Sequence, residues 1–265
     1  MSLIVKPITA FEDNYIWAIT STIQSNFVVL VDPGCAKSTV AWLNQNQLIP
    51  ESILITHHHG DHIGGVQEIV QRFPDCVVYA STHPAYLFPY IAVSPDSPIY
   101  LTCLKTNCTV FSLPGHTAKH IGFHFANEKL FFCGDTLFAS GCGRVFDGTH
   151  SDLFNSIQTI ASLDADTLIF PAHEYTYANV LFSLIIDPSN ARAVYRKSVE
   201  SLRNNQLPTL PTTVGHEIKY NLFMQCHTDL VISFCQSYAK KKLYKTHEVF
   251  YWLRTFKDKE FDPSY

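Results

Sequence analysis

The stretch Thr56-His57-His58-His59-Gly60-Asp61-His62 decides how this chain is read. It follows Ser52-Ile53-Leu54-Ile55, a short apolar run of branched side chains that predicts a buried strand. The histidines therefore emerge where a strand ends, a place where a rigid element holds polar side chains at an open edge. In extended backbone successive side chains alternate, so His57 and His59 face one point while His58 faces away. Gly60 allows a turn that brings Asp61 and His62 towards a neighbouring point. Imidazole and carboxylate suit zinc and other first-row divalent ions. Two adjacent ligand pairs are what a two-metal site needs. Tags and flexible tails also concentrate histidines, but this tract is internal and varied, and polar groups beside a core strand are costly unless satisfied.

A two-metal site needs further ligands, and three later strand ends supply them. Pro114-Gly115-His116-Thr117 follows an apolar strand at 109–113 and places a histidine at a glycine-assisted turn. Cys133-Gly134-Asp135-Thr136 does the same for a carboxylate, and Pro171-Ala172-His173-Glu174 for another histidine. Singly, each has an ordinary explanation as a turn or helix-cap residue; together they complete a pattern. The expected assembly is His57, His59 and His116 on one metal and Asp61, His62 and His173 on the other. Asp135 bridges them, with a water or hydroxide as the second bridge. Among the remaining histidines, His120 and His150 are expected nearest the site.

The hydrophobic fraction of 46% and charged fraction of 16% describe a globular chain rather than a disordered one. Net charge is −4, and the first basic run is Lys240-Lys241-Lys242, which reads as the solvated face of a helix. A broad nucleic-acid footprint is therefore not expected. No apolar stretch is long enough for a membrane span, and Met1 to Pro7 lacks the basic and apolar regions of a signal peptide. Eight cysteines show no C-x-x-C pair and several sit in apolar runs, so free buried thiols in a reducing cytoplasm are expected. A monomer is expected.

Strand patterns at 3–8, 15–20, 27–32, 52–55, 77–80, 109–113, 121–125 and 130–133 fill the first half, with helices at 39–43 and 66–73. From about Ser151 helical spacing takes over, apart from one strand at 167–170. Helices are expected at 190–206 and 230–242, separated by Leu207-Pro208-Thr209-Leu210-Pro211. This predicts a catalytic, metal-binding domain over 1–173 and a helical, substrate-binding domain over 174–265.

These residues resemble the metallo-β-lactamase superfamily, whose mark is H-x-H-x-D-H followed by distant His, Asp and His. Within it the chain is most similar to the glyoxalase II (hydroxyacylglutathione hydrolase) family. Phe11-Glu12-Asp13-Asn14-Tyr15-Ile16-Trp17, Gly134-Asp135-Thr136-Leu137-Phe138 with Gly141-Cys142-Gly143-Arg144, and Ala172-His173-Glu174-Tyr175-Thr176 carry the likeness. Trp252-Leu253-Arg254 with Lys257-Asp258 and Phe261 extends it to the C-terminal end.

The resemblance implies an α/β fold, a four-layer αβ/βα sandwich with a C-terminal helical domain. It also implies hydrolysis of S-D-lactoylglutathione to D-lactate and glutathione, a step of methylglyoxal detoxification. The cofactors implied are two divalent ions, zinc first, with iron or manganese as alternatives. A metal-bridging hydroxide attacks the thioester, Asp61 and Asp135 hold the metals and orient it, and Arg144 and Tyr175 contact the glutathione moiety. One position departs from the family: Asn221-Leu222-Phe223-Met224-Gln225 stands where N-P-F-M-R is usual. Glutamine at 225 cannot give the charge-assisted fork that arginine offers a carboxylate. A raised KM for glutathione thioesters, or a preference for a somewhat different thioester, is therefore expected. The alternatives are another thioester hydrolase of the superfamily, or a persulfide dioxygenase, which uses one iron and usually lacks the long helical appendage.

Overall fold

The computed structural model describes residues 2–22, 26–95 and 97–262. It divides into two compact units, Met1–Leu113 with Lys119–Gly134, and Pro114–Ala118 with Asp135–Tyr265.

The first unit contains β1 (Leu3–Ala10), β2 (Asn14–Ser21), β3 (Phe27–Val31), α1 (Ala36–Asn46), β4 (Ile49–Ile55), α2 (Gly60–Ile63) and α3 (Val66–Arg72). It continues with β5 (Val77–Ala80), β6 (Ile91–Ala92), β7 (Pro98–Leu101), β8 (Thr106–Ser112), β9 (Ile121–Phe125) and β10 (Leu130–Gly134). Strands β1 to β6 form one sheet in chain order. The β1–β2 and β2–β3 pairs are antiparallel, and β3–β4, β4–β5 and β5–β6 are parallel. Parallel pairing requires crossovers, which α1 provides between β3 and β4, α3 between β4 and β5, and the non-helical segment 81–90 between β5 and β6. Val40 and Leu43 of α1 and Val66 and Ile69 of α3 join Ile16, Ala18, Leu30, Ile53, Ile55 and Val78 in one core. Leu54, pointing the other way, is equally buried. A strand buried on both faces explains the unbroken apolar run before the histidines. β7, β8, β9 and β10 pair antiparallel in that order.

The second unit contains the short hairpin β11 (Leu137–Phe138) and β12 (Gly141–Cys142), then α4 (His150–Ala161), β13 (Leu168–Pro171), α5 (Thr176–Ile186) and α6 (Asn190–Asn204). β14 (Thr212–Thr213), α7 (Val214–Tyr220), α8 (Asp229–Ala239) and α9 (Thr246–Glu260) complete it. β13 pairs antiparallel with β14. Phe182 of α5 stacks on Phe223, which meets Phe250 of α9 edge-on, giving the helices an aromatic core. The domain boundary expected at 173/174 falls inside this unit, between β13 and α5.

Several expected boundaries move for identifiable reasons. The helix expected at 39–43 runs from Ala36 to Asn46, where Gln47 adopts φ +54° and ends it. The helix expected to reach 242 stops at Ala239, because Lys240 turns left-handed at φ +54°. The lysine run therefore caps and follows a helix, rather than forming its face. Among the described residues, no helix is long and apolar enough to cross a membrane. The eight cysteines form no disulfide.

Candidate functional site

In the first unit, the chain leaves β4 at Ile55 and turns directly into the histidine run. His57 and His62 are buried, with 1% and 0% exposure, whereas His58, His59 and Asp61 are half-buried. The single-turn helix α2 begins at Gly60, and the His62 N–H donates to the His59 carbonyl at 3.0 Å. That turn brings Asp61 and His62 together, with His62 Nε2 3.5 Å from Asp61 Oδ2. His57 Nε2 lies 3.0 Å from His59 Nδ1. His58 is directed elsewhere and stacks on His83 at 3.8 Å between ring centroids. Gly34 makes the close packing of α2 possible: a Cβ there would sit 1.7 Å from the Asp61 carbonyl oxygen.

Asp32, at the end of β3, organises this histidine run. Its backbone is left-handed at φ +52°, and its N–H donates to the Leu54 carbonyl. Oδ1 accepts the Thr56 backbone N–H at 2.8 Å, and Oδ2 accepts the Thr56 hydroxyl at 2.6 Å. His62 Nδ1 lies 2.9 Å from the same Oδ2. Because the Thr56 hydroxyl proton points to Asp32, its oxygen accepts from His57 Nδ1, 3.1 Å away. Both imidazoles are thus anchored through Nδ1–H, which leaves the lone pair on Nε2. Anchoring the far nitrogen on a carboxylate or hydroxyl is how proteins orient metal-binding histidines. Asn14 Nδ2 donates to Asp61 Oδ2 at 2.9 Å and fixes that carboxylate.

The second unit carries the other candidates. His116, Asp135 and His173 are buried. Asp135 Oδ2 lies 3.5 Å from His116 Nε2 and 3.4 Å from His173 Nε2. His116 Nδ1–H donates to the Arg144 carbonyl at 2.8 Å, so here too Nε2 keeps its lone pair. Tyr175 stacks on His173 at 4.7 Å and 7°, and Phe146 meets His116 edge-on. Arg144 places Nε 3.4 Å from Asp258 Oδ1. Gln225 is engaged at both ends of its amide: Oε1 accepts from Arg192 at 2.8 Å, and Nε2 donates to the Ile218 and Lys219 carbonyls.

These spacings fit divalent ions. Donor atoms about 2.1 Å from a tetrahedral ion stand about 3.4 Å from one another. The donor pairs found in each unit, at 3.0 to 3.5 Å, have that separation. Burial pushes the Cys142 thiol upwards and that of Cys76 to about 12, so neither suits ligation, whereas a hydrogen bond with Ser38 lowers the Cys35 thiol.

Residues 13–102 and 109–173 match the metallo-β-lactamase superfamily, and residues 174–260 match the hydroxyacylglutathione hydrolase C-terminus. A hydroxyacylglutathione hydrolase of Tolumonas auensis is 40% identical over 256 residues, covering 96% of this chain and 98% of that protein. One of Pectobacterium atrosepticum is 42% identical over 228 residues, covering 86% and 88%. The chain belongs to the hydroxyacylglutathione hydrolase family.

Its fold is the metallo-β-lactamase fold, with mixed sheets and the C-terminal helical region of this family. The crystal structure of ETHE1 from Myxococcus xanthus matches at TM-score 0.67 and 18% identity, covering 96% of this chain and 91% of that one. The BLEG-1 B3 metallo-β-lactamase matches at 0.62 and 23%, covering 84% and 99%. At those identities the likeness is one of fold. Asp32 is the family member's organising residue that the sequence does not announce, because Asp32-Pro33-Gly34 reads as a chain break. Its position at the end of a parallel strand was the available signal.

Proposed function

We propose that this chain hydrolyses S-(2-hydroxyacyl)glutathione thioesters, S-D-lactoylglutathione above all, at a pair of divalent metal ions, most suitably zinc. On the sequence pattern, His57, His59 and His116 would hold one ion and Asp61, His62 and His173 the other, with Asp135 shared. The observation that carries the paired reading is the position of Asp135 Oδ2, 3.5 Å from His116 Nε2 and 3.4 Å from His173 Nε2. Those histidines belong to different proposed sets, so one carboxylate oxygen lies within reach of a donor from each. Asp32 supports the same pairing, since it anchors His62 directly and His57 through Thr56.

When bound, such ions supply Lewis acidity and lower the pKa of a water, making hydroxide available near neutral pH. The chain's own residues do the positioning. Asn14 holds Asp61, Asp32 and Thr56 hold the imidazoles, and Asp61 and Asp135 orient the attacking water. Arg144 and Tyr175 are proposed to hold the glutathione moiety. Addition of the water oxygen to the carbonyl carbon, and cleavage of the C–S bond, release glutathione as a thiolate. A thiolate leaves readily, so no side chain has to act as a strong acid. Methylglyoxal detoxification in the cytoplasm fits this chemistry, and eight cysteines that form no disulfide favour a reducing compartment.

Metal content by mass spectrometry, measured beside hydrolysis of glutathione thioesters, coenzyme A thioesters and lactams, tests the reading. Glutathione thioesters should be hydrolysed fastest, and activity should vanish on chelation and return with added zinc. Full activity in a metal-free preparation would falsify it.

A further inference from the structure

Between Asp135 and Arg144 the chain makes the β11–β12 hairpin, and every residue from Leu137 to Cys142 is buried. A turn shut away from water leaves backbone donors and acceptors that need protein partners. Side chains from distant helices and from the end of α7 provide them at successive positions. Asn221 Nδ2 donates to the Gly141 carbonyl at 2.9 Å and, less directly, to that of Phe138 at 3.3 Å. Asn179 Nδ2 donates to the Ala139 carbonyl at 2.9 Å. The Ser140 N–H donates to Glu217 Oε2 at 2.7 Å, and Arg254 Nη1 donates to the Cys142 carbonyl at 3.0 Å. Ser140 has φ +59°, a conformation that a non-glycine residue keeps only when its surroundings hold it.

Glu217 and Asn221 are the centre of this clamp. Glu217 is completely buried, yet its carboxylate meets donors on both oxygens: Ser140 N–H and Asn221 Nδ2 on Oε2, and the Thr212 hydroxyl on Oε1. Asn221 in turn accepts the Phe223 N–H on Oδ1. The loop they hold carries candidate machinery at each end. Asp135 begins it, and the Arg144 carbonyl that orients His116 ends it. There is no slack between them: a Cβ on Gly143 would stand 2.1 Å from the Asp135 carbonyl oxygen and 3.0 Å from His116 Nδ1. Displacing the hairpin therefore displaces a carboxylate and an imidazole together.

We propose that Glu217 and Asn221 are positioning residues that set Asp135 and His116 in metal-binding geometry through the buried 137–142 hairpin. This rests on the reading of Asp135 and His116 as metal ligands. It assigns the Asn221-Leu222-Phe223-Met224 segment to the metal centre, through the loop that it fixes, and not to the substrate.

The test compares the zinc-loaded wild-type protein with Asn221→Ala, Glu217→Gln and, as a control, Val231→Ala, which thins the buried face of α8. Zinc release to a chelator, kcat and KM for lactoylglutathione, and thermal midpoint are measured for each. Asn221→Ala and Glu217→Gln should speed zinc release and lower kcat by about tenfold or more, the usual effect of losing an outer partner of a metal ligand. KM should hold within about twofold, because uniform substrate binding is untouched. Val231→Ala should lower the midpoint alone. If both clamp variants lose thermal stability but keep wild-type zinc release and kcat, the proposal is overturned. Should Asn221→Ala not fold, Glu217→Gln decides, since its amide nitrogen turns donors against donors. A wild-type protein that holds no metal sinks the metal-centre reading and this proposal together. Wild-type metal content with unaffected clamp variants sinks only the proposal.

Discussion

Oδ2 of Asp32 lies 2.9 Å from Nδ1 of His62, and the same oxygen takes the Thr56 hydroxyl proton at 2.6 Å. One buried carboxylate thus fixes the tautomer of two imidazoles, His62 directly and His57 through Thr56. Asp32→Ala should weaken metal retention and lower kcat by about 10- to 100-fold, while KM changes little. Mass spectrometry of the purified variant, with steady-state kinetics, checks this. Wild-type metal content and turnover in Asp32→Ala would show that the imidazoles need no such anchor.

Arg144 offers the opposite case. Its side chain is 61% exposed, and its contact with Asp258 is solvent-screened, so it contributes little to stability. Arg144→Ala should leave the thermal midpoint unchanged and raise KM for glutathione thioesters about tenfold, the loss of one charge-assisted contact. kcat should hold, because the contact is made equally in ground and transition states. An unchanged KM would remove Arg144 from the substrate site.

Gln225 is already committed, with Arg192 on its oxygen and the Ile218 and Lys219 carbonyls on its nitrogen. Arginine at this position would bring a second guanidinium against the buried Arg192, at an electrostatic cost. Gln225→Arg should therefore lower the thermal midpoint without lowering KM for lactoylglutathione. A several-fold fall in KM would instead give position 225 to the substrate carboxylate, as the N-P-F-M-R comparison expects.

Lys257 is buried against Phe182 and Phe223, with its amine on Asn179. Burial, reinforced by the neighbouring Arg254, pushes its pKa down from 10.5 to about 7. Between those values the unfolded chain binds the proton that the folded chain has lost. Stability contributed by this group therefore rises with pH across about 7 to 10, and the penalty for burying the charge is greatest below that window. Lys257→Met should raise the thermal midpoint near neutral pH and flatten its rise towards about pH 9. Parallel thermal scans of wild type and variant check the difference; equal slopes would mean the amine stays charged.

The candidate ligands were legible because each follows a strand within a few residues: His57 to His62 after β4, Asp135 after β10, His173 after β13. Local pattern suffices where the chemistry is local. Asp32 was not legible in that way, since its partners stand 24 and 30 positions away and its own sequence looks like a turn. The hairpin at 137–142 was hidden for the same reason. Its residues are short and apolar, and the groups that make burial tolerable lie 40 to 112 positions further on. Lys240 shows the limit at finer grain: periodicity continues through it, but one left-handed residue ends the helix.

The distance in sequence between Cys142 and Arg254 also sets an order of events in time. A chain emerging from the ribosome exposes Asp32, Thr56, His57 and His62 early, and their mutual contacts span at most 30 positions. The hairpin beside Asp135 has to wait for Glu217, 77 positions beyond Ser140, and for Arg254, 112 beyond Cys142. Synthesis proceeds from the N-terminus at about 5–20 residues per second, so about 10 to 40 seconds separate His62 from Arg254. One part of the candidate ligand set can be ordered while the chain is still being made, and the hairpin beside Asp135 must wait until α9 has left the tunnel.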